Sequence, residues 1–172
     1  MKNHYLLIAT LGLVSAGVSS AAEVAPSTSR VEVVFIHPEK FTDAADEAYA
    51  SDRGREDVLA NIKQHVEKLA RYYVADGEHL ELRFLDIDLA GGFEPWHSPR
   101  YDDIRILKEI YPPRMTVEFR LRGADGKVIS EGKRELSSLG YLMRTVLPTS
   151  DSLRFDKEML GDWMRQEFRR KS

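Results

Sequence analysis

The sequence predicts an α+β fold, a two-layer sandwich in which two main helices pack on one face of a mostly antiparallel sheet. Three observations carry this. Two amphipathic stretches of helical period lie near the middle and at the end of the chain. A strictly alternating segment followed by a turn and a second arm reads as a β-hairpin between them. Strand, helix, several strands and helix, in that order, suggest two helices covering one face of a mostly antiparallel sheet.

The elements follow from the residues in chain order. Met1-Lys2-Asn3-His4 is a short basic start, Tyr5 to Val18 is apolar, and Ser20-Ala21-Ala22 supplies small residues, so residues 1–22 are expected to be a signal peptide cleaved before Glu23. The apolar run is too short and too diluted by glycine and serine to serve as a membrane anchor, and no later segment has the length of a transmembrane helix. Residues 23–30 are small and polar and read as a flexible lead-in, leaving residues 31–172 as a single α+β domain. Val31 to Ile36 is β-branched and apolar, and Pro38 stops it, which predicts a strand. Glu39 to Ser51 lacks a steady period and is expected to be loop with room for helical turns.

Leu59, Ile62, Val66, Leu69 and Tyr73 recur at steps of three and four, giving a helix of about twenty residues with Asp52 as its cap and Gly77 as its stop. Leu80-Glu81-Leu82-Arg83-Phe84 alternates, but from Leu85 the apolar set becomes Leu85, Ile87 and Leu89, so a bulge is expected near Phe84 and Leu85. That shift puts Asp86 and Asp88 together on the opposite face. Gly91-Gly92 ends the strand, and Phe93 to Asp102 is a loop holding Pro95, Trp96 and His97. Ile104 and Ile106, with Ile110 as a further apolar position, suggest another strand, closed by Pro112-Pro113. Met115, Val117, Phe119 and Leu121 alternate with Thr116, Glu118, Arg120 and Arg122, one set for the core and one for water. Gly123-Ala124-Asp125-Gly126 turns the chain back through Lys127 to Leu136. After a long connection, a closing helix from Ser152 to Arg169 carries the stripe Phe155, Met159, Trp163 and Phe168, with Asp151 or Ser152 as its cap.

Composition narrows function mostly by exclusion. At 42% hydrophobic and 31% charged the chain is of ordinary globular make-up, and a formal charge of −3 offers nothing to nucleic acid. The absence of cysteine excludes thiol catalysis, disulfides and cysteine-bound zinc. Neither common glycine-rich phosphate loop, no HExxH spacing and no GxSxG elbow occurs, so no cofactor is expected. Several blocks nevertheless stand out. They are Leu85-Asp86-Ile87-Asp88-Leu89-Ala90-Gly91-Gly92-Phe93-Glu94-Pro95, Ile104-Arg105-Ile106 through Ile110-Tyr111-Pro112-Pro113-Arg114, Asp125-Gly126-Lys127, Tyr141-Leu142, and Leu153 to Trp163. As a set they resemble DUF3016, a bacterial family of unknown function. The resemblance implies an exported protein and transfers no catalytic residue.

The chemistry-bearing residues gather between Asp86 and Asp103. Asp86 and Asp88, two apart on a strand, point the same way and could hold a hard cation, with Glu94 and His97 as further ligands. Read as a calcium loop the segment fails, because Ala90 takes the fifth position and His97 the twelfth, where a glutamate belongs. The competing reading pairs the two aspartates with Arg83, Arg105 or Arg114, or with backbone N–H groups. Trp96 and His97 could line a pocket, or Trp96 could anchor its loop on the core. The leading expectation is a non-enzymatic periplasmic or secreted accessory or binding module, its partner an envelope protein or a small ligand reached through the open sheet face or the Trp96 loop. The alternative is a metal-binding protein or metal-assisted hydrolase using Asp86, Asp88 and His97.

Overall fold

A computed structural model describes residues 30–45, 51–94, 104–144 and 150–169. Four strands form the main sheet. They are β1 (Val31–Phe35), β2 (His79–Asp88), β5 (Arg114–Arg122) and β6 (Val128–Ser137), in spatial order β1-β2-β5-β6. The first pair is parallel and the other two antiparallel. Helix α1 (Asp52–Tyr73) makes the crossover between the parallel strands, and α2 (Arg154–Phe168) closes the chain. A two-stranded ribbon of β3 (Gly92–Phe93) and β4 (Arg105–Ile106) stands beside the sheet. The α+β architecture with a mostly antiparallel sheet is therefore present as the sequence pattern anticipates.

The core lies between helices and sheet. Leu80, Leu82, Phe84 and Ile87 from β2 and Met115, Val117 and Phe119 from β5 meet Ile62, Val66 and Ala70 of α1 and Met159, Leu160, Trp163 and Met164 of α2. The change of parity in β2 is physically a bulge: register shifts between Phe84 and Asp86, with Phe84 opposite Val117 and Asp86 opposite Thr116. One extra residue restores burial for Ile87 while turning Asp86 and Asp88 to the other face. At Gly161 the helices lie at ordinary contact distance, a Cβ there falling 4.0 Å from Leu69. On β6 the helix-facing residue Arg134 replaces a hydrophobe: its guanidinium lies 5.1 Å from the Phe119 ring centre and bonds both carboxylate oxygens of Glu167 at 2.8 Å.

Several expectations move by small amounts. Ser51 rather than Asp52 caps α1, its hydroxyl accepting from the Gly54 N–H at 3.0 Å. The helix ends at Tyr73, ahead of Gly77. Asp151 still serves the start of α2, accepting from the Leu153 N–H at 3.0 Å and from Lys157 Nζ at 2.7 Å, although the cap position is Leu153. A larger correction concerns residues 104–110. Only Arg105 and Ile106 are extended, and Ile104 is exposed while the Arg105 side chain is buried, the reverse of the apolar alternation.

Candidate functional site

The end of β2 and the chain that leaves it concentrate the polar chemistry. Beyond β1 the chain turns through a 3-10 helix at Pro38–Lys40 and rejoins β2 as a parallel neighbour, where Asp43 N–H donates to Ile87 O at 2.9 Å and Leu89 N–H donates to Asp43 O at 3.1 Å. This brings Thr42 against Asp86. Asp86 accepts from the Thr42 N–H at 2.8 Å and from its hydroxyl at 2.9 Å. Asp88 lies 3.5 Å from an Arg114 guanidinium nitrogen, its cross-strand neighbour. Burial, with Asp43 and Asp86 nearby, raises the Asp88 carboxyl above the usual carboxylate range, and Arg114 opposes the rise.

Arg105 is the centre of this region. Its two terminal nitrogens fork onto Asp43 at 2.8 and 3.0 Å. They also donate to Gly91 O at 3.2 Å and Ala45 O at 2.5 Å, and the guanidinium stacks 4.6 Å from the centre of Phe93. One arginine thereby ties together the chain after β1, the glycine turn after β2 and the β3–β4 ribbon. Gly91 has to be glycine: its φ is +87°, and a Cβ would come within 2.9 Å of Ile106 O.

Two carboxylates here are almost fully buried. Glu94 is 2% exposed and accepts from Lys108 Nζ at 2.7 Å to both oxygens and from the Tyr111 hydroxyl at 3.0 Å. The hydrogen bond to Glu94 raises the Tyr111 pKa. Asp156, in the first turn of α2, is 1% exposed and accepts from the Ala90 N–H at 3.1 Å. Its other oxygen has no hydrogen-bond partner. Burial pushes its pKa up to about 7, against the pull of the Ala90 N–H and of Arg105. Beside it, Tyr141 packs edge-on against Phe155 at 4.8 Å and donates to Lys108 O at 2.9 Å.

Of the residues singled out from sequence, Asp86, Asp88 and Glu94 thus lie near one end of the sheet, each engaged by donors of its own chain. Trp96 and His97 fall outside the described residues, as do the expected signal peptide, Asp102 and Asp103. Among the described residues no group of three or more histidine, aspartate or glutamate side chains is placed to hold a metal ion, and no helix is long and apolar enough to cross a membrane. His65 belongs to the helix interface, its Nε2 donating to Lys157 O at 3.0 Å, and burial lowers its pKa.

Asp43 and Asp156 are not among the residues the sequence singles out, and Arg105 enters there only as a partner for Asp86 or Asp88, whereas it forks onto Asp43. Asp156 had a signal, because it stands three, four and seven residues before Met159, Leu160 and Trp163, on the buried stripe of its helix. The inward turn of Arg105 had none, since two flanking isoleucines point to the opposite parity.

Neither a curated protein nor a solved structure matches the chain. A family model described as "Protein of unknown function (DUF3016)" matches residues 29–166, which include every strand and nearly all of α2. The chain belongs to the DUF3016 family.

Proposed function

We propose that this protein is an exported, non-catalytic accessory or binding module of the cell envelope, whose uncovered sheet face meets a partner. The observation that carries this is the division of labour between the two polar regions. At the end of β2 the carboxylates that could have served a metal or a proton transfer are bonded to Thr42, Arg114, Lys108 and Tyr111. Asp156, with its free oxygen, is shut away from solutes. Both facts support a structural clamp.

The face of the sheet that no described helix covers differs. Glu81, Arg83, Glu118, Arg120, Glu131 and Lys133 form a mosaic of alternating sign around a shallow depression. Such a surface suits a polar, reversible partner better than an obligate apolar interface. The leader pattern, with its basic start, apolar run and small residues before Glu23, supports export.

The test is site-specific photocrosslinking in intact cells, with the reactive group at Glu118 or Arg120 and, as a control, at Lys63 on α1. A discrete adduct from the sheet positions alone, in the envelope fraction, is expected. Equal labelling from both faces, or a chain retained in the cytoplasm with its first 22 residues, would contradict the proposal.

A further inference from the structure

We propose that β6 is a pairing edge whose partner is a second copy of this chain, joined antiparallel about a two-fold axis at Gly132. β6 closes one side of the sheet, and among the described residues no segment pairs with its outer side. At ten residues it is twice the length of β1, the opposite edge.

The direction of its free backbone groups follows from the register. Arg114 lies opposite Ser137, and Ser138 N–H donates to Pro113 O at 3.3 Å, so Pro113 and Ser138 form a hydrogen-bonded position. Alternate residues back along the strand, Leu136, Arg134, Gly132 and Ser130, therefore turn their N–H and C=O groups to β5. Glu135, Lys133 and Glu131 turn theirs outward. The far side of the sheet obeys the same parity, with Leu80 N–H donating to Arg30 O and Ile36 N–H to Phe84 O.

Charge then selects among the registers those outward groups allow. Centring the axis on Lys133 sets lysine against lysine and Glu131 against Glu135. An axis at Glu131 opposes two carboxylates, and one at Arg134 pairs Lys133 with Glu135 but sets two bulky arginine side chains against each other where the strands are closest. With the axis at Gly132, Glu131, which already accepts from Arg120 Nε at 2.8 Å in its own chain, faces the second copy's Lys133 and Lys133 faces its Glu131, so both pairs attract. Lys133 makes no ion pair among the described residues and is available for this role. Two glycines meet on the axis where the strands are closest, each with the Arg134 guanidinium of its own chain folded over it.

An inward-pointing charge on an edge ordinarily discourages pairing. Arg134 is instead folded onto Phe119 and neutralised by Glu167, and in this register it meets Ser130 rather than its own copy. The product is one continuous eight-stranded sheet with both charged faces on the same side.

Sedimentation of the full chain over a concentration series provides the test, together with Glu131→Lys and Lys133→Glu. The native chain is expected to dimerise. Either single substitution turns both attractive pairs repulsive and should weaken dimerisation about tenfold or more. Mixing the two variants restores opposite charges across the edge and should restore the dimer as a heterodimer. A native chain that stays monomeric throughout overturns the proposal. So does a dimer whose affinity ignores both substitutions, or a mixture that fails to associate.

Discussion

Replacing Asp156 by asparagine isolates the effect of a buried charge. The side chain is 1% exposed, its Oδ1 holds the Ala90 N–H, and its Oδ2 is without a partner. Its pKa rises from 3.8 to about 7 on folding, so between those values the folded state binds more protons than the unfolded state. This group's contribution to stability therefore falls as pH rises from about 4 to about 7 and is level on either side. A rise of roughly three units corresponds to an order-of-magnitude cost of about 4 kcal/mol at pH 8 relative to pH 4. Asparagine keeps the acceptor for Ala90 and cannot ionise. Urea unfolding of native chain and Asp156→Asn from pH 4 to pH 8 should show similar stability at the acid end. The variant should be more stable at the alkaline end, by an amount up to that figure. A variant less stable than native at pH 8 would refute the reasoning, because it would mean that the ionised carboxylate is favoured by Arg105 more than it is penalised by burial.

Other substitutions probe the same region. Arg105→Lys retains the charge but loses the fork onto Asp43 and the stacking on Phe93, and should cost about 3 kcal/mol in denaturant unfolding. Unchanged stability would show that a point charge suffices. Gly91→Ala forces a side chain into a φ of +87° and against Ile106 O, and a loss of about 2 kcal/mol or more is expected, with faster amide exchange in the β3–β4 ribbon. The same substitution at Gly126, whose φ is +76° but whose surroundings are open, should cost less, about 1 kcal/mol. Equal losses would remove the argument from the contacts around Gly91.

Local pattern carried most of the fold. The α1 stripe, the alternation in β5 and the parity change in β2 each reflect a side-chain period that burial imposes on one face. The bulge between Phe84 and Asp86 was legible because both halves of β2 remain apolar on alternate residues. The candidate site was legible only in part. Asp86 and Asp88 could be placed on one face, but their partners could not be deduced, since Thr42 reaches Asp86 only after the chain returns alongside β2. The partner of Arg105 was hidden for a similar reason. The arginine's inward direction is fixed by Asp43, Ala45 and Gly91, contacts made by tertiary closure and not by neighbours in sequence. Asp156 shows the opposite case, in which the helical period placed a carboxyl on the buried stripe and the composition of that stripe drew attention away from it.

The claim that the carboxylates at the end of β2 hold the chain together, and do not hold a ligand, rests on Thr42 and Arg114 as their partners. The most direct test is urea unfolding of the native chain and of an Asp86→Ala, Asp88→Ala double variant, each with and without calcium, magnesium or zinc. The account predicts that the double variant loses about 1–3 kcal/mol from its broken hydrogen bonds and ion pair, by the same amount with or without metal. A native chain stabilised by one of these ions, through a response that the double variant lacks, would contradict it.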